Sequence, residues 1–308
     1  YHNFDWSNSI LVQNEYLEGF DNIRISNYET SFNTLQSYTH YMLTLPNSST
    51  NLKLSGNYML HVYDQNDLLQ FSRRFVFLKS TIVVSANVHK LRDLNYFQTH
   101  QNIKFELTQN NLGSIQNPNE NLKVVLIQND QWSNMISDIK PQYKNNKILK
   151  YRYDIETSFE AGNEYLFFDT KDLRVTGPNV SYVNLDKLYE SYLYTDIPRK
   201  NRPYSFSQDI NGDFEIRTVI GNRNSKTEAD YSWVYFTLAA SIELPETDLF
   251  ILGNFNNYEP GIDNIMYYNK ALEAYEAKIL MLRQLYFQRE TKLLALHQIL
   301  KTITQFQR

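Results

Sequence analysis

The sequence predicts an all-β protein made of tandem immunoglobulin-like β-sandwich domains. Three observations predict this fold class: short segments of strand-forming residues recur, clusters of Asn, Asp and Ser separate them, and the chain holds 24 Tyr and 18 Phe. Short, regularly spaced strands with turn residues between them are typical of stacked antiparallel sheets. Tyr joins an apolar ring to a polar tip, so it suits half-buried strands. A chain of 308 residues has room for two or three such domains.

The predicted strands follow one another along the whole chain. Residues 64–67 (DQND) are predicted to be the hairpin loop between strands 57–63 and 69–78. Residues 122–128 (LKVVLIQ) form a continuous apolar run, which is typical of a strand buried on both faces. Asn211-Gly212 is a strong hairpin signal. The remaining predicted strands cover residues 38–45, 81–89, 103–107, 148–153, 165–169, 214–219, 233–238 and 249–252.

Two boundaries divide the chain into three predicted domains. One lies near Lys79, where a strand-rich unit closes, and the other near Lys226, after the polar loop 221–227. We therefore predict a first β-sandwich domain over residues 1–79, N-terminally incomplete, a second β-sandwich domain over 80–226, and an early-set immunoglobulin-like domain over 227–308. Because Tyr1 is not an initiator Met, we expect a truncated or processed chain, for which a missing signal peptide carries no information.

Composition argues against several classes of protein. Lys and Arg total 30 against 34 Asp and Glu, with no run of basic residues, so a nucleic-acid partner is not expected. The absence of Cys removes disulfides, thiolate catalysis and Cys-ligated zinc. No run approaches the ~18 apolar residues that a membrane-spanning helix needs, so no transmembrane segment is predicted.

The chain carries no recognisable catalytic, cofactor or metal motif. Its six His residues are scattered, and Asp209-Ile210-Asn211-Gly212-Asp213 resembles the start of a calcium loop but lacks the Gly at the sixth position and the later Glu. We interpret it as a β-hairpin. A carboxylate pair of the glycosidase kind, such as Asp154 with Glu156 or Asp169 with Asp172, stays open as a third hypothesis. The sequence predicts a protein that is not an enzyme and has no cofactor.

A turn near the C-terminal end suggests a second hypothesis. Residues 253–258 (GNFNNY) follow a predicted strand and resemble the turn of early-set modules, some of which bind starch or glycogen. In such modules exposed aromatic rings stack on sugars, and here Trp233 and Tyr258 are the candidate glycan-binding residues. The competing interpretation, which we favour, is that Phe255 and Trp233 pack the sandwich and the turn is structural.

Several blocks of the sequence closely resemble the type IX secretion system plug proteins. They are residues 14–47, 56–64 with 72–77, 152–174 (RYDIETSFEAGNEYLFFDTKDLR), 202–218 (RPYSFSQDINGDFEIRT) and 229–258, and the resemblance extends from about Asp5 to about Tyr286. It implies a non-enzymatic periplasmic protein that closes the periplasmic end of the giant outer-membrane β-barrel translocon through which type IX cargo leaves the cell. The implied partners are that barrel and, as further candidates, other translocon subunits.

Contacts with the translocon are expected from aromatic and Arg side chains in loops. The candidates are Tyr16, Phe20 and Arg24 in the first domain and Tyr194, Arg202 and Tyr204 further along. The alternative function is a glycan-binding envelope module that uses the early-set domain.

The C-terminal tail receives two conflicting predictions. Residues 270–303 are rich in Ala, Leu, Glu, Lys and Gln with helix-like spacing. An intact early-set domain instead requires strands over residues 275–300, and strand is the prediction we adopt. After Tyr286 the sequence departs from the family pattern.

Overall fold

The structure is a computed structural model that describes residues 1–79, 82–109, 115–145, 147–162, 164–199, 206, 208–219, 225–245, 247–282 and 286–295. At residues 109, 282 and 286–295 it describes the backbone alone. The described chain is nearly all strand, which confirms the all-β prediction. The immunoglobulin-like detail stays a prediction.

The first half of the chain contains short strands of three or four residues and four longer strands that form two antiparallel pairs. These strands are β1 Leu17–Gly19, β2 Tyr28–Thr30, β3 Thr39–Tyr41, β4 Thr50–Leu52, β5 Gly56–Tyr63, β6 Leu69–Phe77, β7 Ile82–Lys90, β8 His100–Gln109, β9 Tyr143–Asn145 and β10 Ile148–Tyr151.

The second half supplies the strands of the largest sheet. β11 Ser158–Glu160 pairs with β8 in a different sheet. The strands of the largest sheet are β12 Leu166–Asp169, β13 Val180–Leu185, β14 Tyr189–Leu193, β15 Phe214–Glu215, β16 Tyr231–Ala239, β17 Thr247–Leu252, β18 Ile265–Asn269, β19 Ala274–Leu282 and β20 Tyr286–Ala295. The described helices have one turn each: α1 Gln13–Tyr16, α2 Pro118–Asn121 and α3 Ser225–Glu228, with 3₁₀ turns at Trp132–Asn134 and Asn254–Asn256.

The chain forms two compact units, each assembled from segments that are separated in the sequence. Unit 1 comprises Tyr1–Asn27, Tyr41–Ile127 and Met135–Ala161, and unit 2 comprises Tyr28–His40, Gln128–Asn134 and Gly162–Arg308. The hairpin of β2 and β3 therefore belongs almost entirely to unit 2. The division into three domains remains a prediction.

The N-terminal part of unit 1 is built on the hairpin of β5 and β6. Its predicted loop is present, because the Asp64 carboxylate accepts hydrogen bonds from the amides of Asn66 (2.8 Å) and Leu68 (2.9 Å). Leu17, Leu52 and Tyr58 form a small core beside the hairpin. Tyr58 stacks on Phe75 at 5.4 Å between ring centroids.

The rest of unit 1 is a sheet with β8 at its centre. β10 and β11 pair with one side of β8 and β7 pairs with the other. Side chains of β8 and β10 form the core, where Phe105 and Tyr151 stack at 4.3 Å. This core sits on one face of the sheet.

The prediction of a buried strand at residues 122–128 was wrong. The segment is extended but forms a single bridge, Leu126 to Ile136, rather than a ladder. Leu122, Val124 and Leu126 pack against the core of the β8 sheet. Their apolar character comes from this covering role, which requires burial but no pairing within the sheet.

The nine-stranded sheet of unit 2 folds around a single core. Its order is β12-β20-β17-β18-β19-β16-β14-β13, and β15 also pairs with β20. Phe168 of β12 and Phe236 of β16 are not on neighbouring strands, yet their rings meet edge to face at 5.7 Å. Both side chains are almost completely buried. Distant strands of the sheet therefore enclose the same core.

The C-terminal tail confirms the strand prediction as far as it is described. β19 pairs with β16 over its whole length, and β20 pairs with β12 and β17. Residues 296–300 of that prediction lie outside the described residues. Two other predicted strands are shorter than expected, since 38–45 contains only Thr39–Tyr41 and 214–219 only Phe214–Glu215.

Candidate interaction surfaces

The β2–β3 hairpin is fixed to the start of β16 within unit 2. The Asp230 carboxylate, which is 4% exposed, accepts hydrogen bonds from the amides of Leu35 (2.7 Å) and Gln36 (3.3 Å). The Tyr38 hydroxyl donates to the carbonyl of Ala229 at 2.7 Å, and its ring meets that of Tyr231 edge to face at 5.5 Å. A buried carboxylate that accepts two backbone amides makes this a specific attachment.

The predicted contact residues have different surroundings. Tyr16 is half-buried and stacks on Tyr1 at 5.5 Å, so it contributes to the core of unit 1. Phe20 is 69% exposed and Arg24 is exposed, both in unit 1, and Tyr194 is 62% exposed in unit 2. Arg202 and Tyr204 lie outside the described residues. Phe20, Arg24 and Tyr194 are therefore available for partner contacts.

Tyr258 occupies a position that a sugar-stacking residue would not. It is 6% exposed, and its hydroxyl donates to the carbonyl of Asn211 at 2.5 Å. Burial is the main cause that raises the pKa of this phenol, and the nearby Tyr165 adds to the effect. Gly212 has φ +80°, and a Cβ there would lie 2.7 Å from the Tyr165 ring and 2.8 Å from the Tyr258 hydroxyl. The glycan-binding hypothesis gains no support at Tyr258.

The turn before Tyr258 is held by its own side chains. The Gly253 amide donates to Asn256 Oδ1 at 3.0 Å, and Asn256 Nδ2 donates to the carbonyl of Ile251 at 2.9 Å. Phe255 packs against the core of unit 2. These contacts support the structural interpretation of the turn.

Sequence reasoning missed a polar and aromatic cluster on the outer face of β14, β16 and β19. The Glu190 carboxylate accepts hydrogen bonds from Tyr235 (2.8 Å), Tyr192 (3.1 Å) and Asn184 (3.2 Å), and lies 3.7 Å from the Lys278 ammonium. The rings of Tyr192 and Tyr235 stack at 4.2 Å. The signal was present, since alternate residues of a strand share a face.

Trp233 belongs to the same face. The Lys278 ammonium lies 4.7 Å from the Trp233 ring centroid and 4.8 Å from that of Tyr235. These are cation–π distances. Lys278 thus joins the two rings to Glu190, and the charges within this cluster are paired with one another.

The Glu190 contacts predict a pH dependence of stability. Hydrogen bonds from Tyr235, Asn184 and Tyr192 hold the pKa of Glu190 below its usual value, and the Lys278 charge acts in the same direction. A lowered folded-state pKa stabilises the fold above the unfolded value of ~4.3, and this contribution disappears as pH falls through the folded-state pKa. We expect Glu190→Gln to destabilise unit 2 at pH 7, and this difference from the wild type to shrink towards pH ~3.

Urea unfolding of both proteins at several pH values measures this difference. Glu259→Gln removes an exposed carboxylate of the same unit and serves as the control. A Glu190→Gln difference that stays constant from pH 7 to pH ~3 would contradict the linkage.

One carboxylate of each pair that could be catalytic, Asp154 and Asp172, has structural partners. Asp154 accepts hydrogen bonds from Asn102 Nδ2 (3.0 Å) and the Arg92 amide (3.1 Å), and Asp172 pairs with Arg174 at 3.0 Å. Within the described residues, no three His, Cys, Asp or Glu side chains are grouped as a metal site requires. None of the described helices has the length and apolar character needed to cross a membrane.

Comparisons with known proteins supply the family. Residues 1–79 match the family model described as "Type 9 secretion system plug protein 1st domain". The fold is similar to the crystal structure of a hypothetical protein from Parabacteroides merdae ATCC 43184, with a TM-score of 0.90 and 30% identity over 96% of this chain and 74% of that chain. A search of the curated proteins gave no match.

Plug proteins are structural components of a secretion system in the cell envelope and are not an enzyme family. The match over residues 1–79 includes the hairpin loop of β5 and β6 and the anchored hairpin of β2 and β3. The chain belongs to the family of type IX secretion system plug proteins.

Proposed function

We propose that the protein is a non-enzymatic plug subunit that closes the periplasmic end of the type IX translocon channel in the outer membrane. The family match over residues 1–79 is the observation that carries this proposal. The partner is the giant β-barrel translocon, with other translocon subunits as further candidates. The protein acts from the periplasm and binds the translocon there.

The described surface has the character that a plug requires. A plug protein needs rigid, shape-complementary surfaces with aromatic and Arg anchors, and it needs no polarised catalytic group. Phe20 and Arg24 on unit 1 and Tyr194 on unit 2 provide exposed side chains of these types. Each lies in a unit whose core is packed with buried apolar residues.

The test uses a strain that lacks the plug gene and carries the translocon. We expect this strain to admit a periplasm-excluded dye or antibiotic, and the wild-type protein to restore the barrier. The triple variant Phe20→Ala, Arg24→Ala, Tyr194→Ala is expected to restore it poorly and to recover at least tenfold less of the large barrel in a pull-down. Loss of such anchors at an interface costs on the order of 2 kcal/mol each.

The matched control removes the same residue types elsewhere on the surface. Phe71→Ala, Arg73→Ala, Tyr182→Ala replaces an exposed Phe, Arg and Tyr, and is expected to behave as the wild type. Equal barrier function in the two triple variants would reject the assigned contacts. An unchanged barrier in the strain without the protein would reject the plug function itself.

A further inference from the structure

The β2–β3 hairpin contributes no buried side chain to unit 2. We refer to residues 28–40, which unit 2 includes, as the strap. None of its residues is buried, and none belongs to a described core cluster. Its large apolar side chains Tyr28, Phe32 and Leu35 are 57%, 71% and 53% exposed. Burial of apolar surface therefore holds the strap much less firmly than it holds the core strands of unit 2.

The strap also has little support from sheet pairing. β2 and β3 have three residues each and form a sheet of two strands, and no other described strand pairs with either. One further backbone bond lies inside the hairpin, where the Ser31 amide donates to the Tyr38 carbonyl at 2.8 Å. An isolated two-stranded hairpin is at best marginally stable in water. The strap therefore depends on its contacts with the rest of unit 2.

The hydrogen bonds that hold the strap end on one short segment, residues 226–230. The Phe32 amide donates to the Thr227 carbonyl at 2.9 Å, in addition to the two amides that Asp230 accepts. Next to them, the Tyr38 hydroxyl bonds to backbone carbonyls of the same segment. In each of these contacts the strap supplies the donor and the segment supplies the acceptor. Contacts grouped in one patch of a short hairpin are expected to form and break together.

The strap is also separate from the unit 2 strands along the chain. The segments on both sides of it, Tyr1–Asn27 and Tyr41–Ile127, belong to unit 1. No described strand of the largest sheet is continuous with the strap, so opening of the strap need not disturb that sheet.

Opening of the strap would leave no buried charge without a partner. The Asp230 carboxylate is 4% exposed under the strap, and it also accepts a hydrogen bond from the Tyr231 amide at 2.9 Å. When the strap leaves, water replaces the amides of Leu35 and Gln36 at this carboxylate and hydrates those amides as well. Exchanging a protein hydrogen bond for bonds to water costs less than leaving a buried group unpaired. The open form is therefore within reach of the folded protein.

We propose that the strap opens from residues 226–231 in one step while the core of unit 2 stays folded. The closed form covers the Asp230 carboxylate. The open form presents this carboxylate and the neighbouring backbone carbonyls to the solvent, and it frees the amides of the strap. The strap is thus a conformational switch that covers or exposes a surface rich in hydrogen-bond acceptors. This inference does not depend on the proposed plug function.

Hydrogen exchange of the wild-type chain tests whether this opening occurs. The amides of Phe32, Leu35 and Gln36 are expected to exchange on the order of a hundredfold or more faster than that of Val234, which lies on β16 between β14 and β19. Local opening exposes little surface, so the three rates should change little in dilute urea, whereas global unfolding responds strongly. Exchange of the three amides at the Val234 rate, or as fast as in an unstructured peptide, would overturn the proposal.

Asp230→Ala separates a one-step opening from the loss of single hydrogen bonds. The Phe32 amide is bound to the Thr227 carbonyl, which this variant leaves in place. A one-step opening nevertheless requires the Phe32 amide to accelerate by the same factor as the Leu35 amide, roughly thirtyfold. Tyr38→Phe is expected to accelerate both amides by a smaller common factor, roughly fivefold.

The matched control lies on the strap itself. Glu29→Gln changes an exposed side chain of β2 outside these contacts and is expected to leave the exchange rates unchanged. If Asp230→Ala accelerated the amides bound to Asp230 but not the Phe32 amide, the strap would not open in one step and the proposal would fail. Strap amides whose exchange rises with urea as steeply as that of Val234 would show that opening requires unfolding of unit 2, which also contradicts the proposal.

Discussion

Replacing Phe236 with alanine is expected to lower the free energy of unfolding of unit 2 by about 3–5 kcal/mol, the usual cost of truncating a buried Phe. Phe236 is 1% exposed, and its ring meets Phe168 edge to face at 5.7 Å. Removing the ring leaves a cavity in the core, because close-packed neighbours relax only partly into the space. Urea unfolding followed by circular dichroism measures the change.

The control for Phe236 is another aromatic residue of the same sheet. Tyr267 on β18 is 61% exposed, and Tyr267→Ala is expected to change the unfolding free energy by less than about 0.5 kcal/mol. Similar losses for the two variants would show that the core of unit 2 is not centred on the contact of β12 with β16.

Replacing Asp230 with alanine is expected to release the β2–β3 hairpin, at a cost of about 2–3 kcal/mol, since hydrogen bonds to a charged group contribute about 1.5–3 kcal/mol. The variant leaves the amides of Leu35 and Gln36 without their acceptor. Hydrogen exchange of these two amides should accelerate on the order of thirtyfold, which corresponds to ~2 kcal/mol.

Two further variants make the Asp230 prediction specific. Asp186→Ala removes an exposed carboxylate after β13 and is expected to leave exchange at Leu35 unchanged. Tyr38→Phe removes the hydroxyl bond to Ala229 but keeps the ring contact with Tyr231, so we expect a smaller effect of about 1 kcal/mol. Unchanged exchange at Leu35 and Gln36 in Asp230→Ala would refute the anchoring role.

The alternation of residues along strands and the turn residues between them predicted much of the fold. Both signals depend only on residues that are neighbours in the sequence. The hairpin at residues 57–78 and the strand Trp233–Leu238 were visible as alternation and turn chemistry, and the structure contains both. Residues 122–128 show where this reasoning fails. A run of apolar residues indicates that a segment is buried. A segment that covers a core is buried just as a central strand is, so the run does not distinguish the two.

In the C-terminal tail, local helix propensity gives the wrong secondary structure. Residues 270–303 have helix-favouring composition, yet Ala274–Leu282 and Tyr286–Ala295 are strands. Pairing with β16 and β17 decides their conformation, and tertiary context overrides the weak preference of individual residues. Resemblance to the family predicted this outcome, and composition did not.

The interaction surfaces were harder to predict than the strands. Phe20 is exposed and Tyr16 is half-buried, although both are aromatic residues of the same short segment. Asp230 gave no signal in the sequence, since its partners lie 195 and 194 residues earlier. The same holds for Tyr258, whose burial depends on Gly212 and Tyr165.

The distance along the chain between the β2–β3 hairpin and its anchor also has a consequence during synthesis. Leu35 leaves the ribosome 195 residues before Asp230. At about 5–20 residues per second, the hairpin waits on the order of 10–40 seconds for its binding partner. During that interval its amides and the exposed Phe32 and Leu35 side chains face the surrounding medium. A nascent chain interrupted before residue 230 therefore carries an undocked hairpin, which folding factors and proteases can recognise.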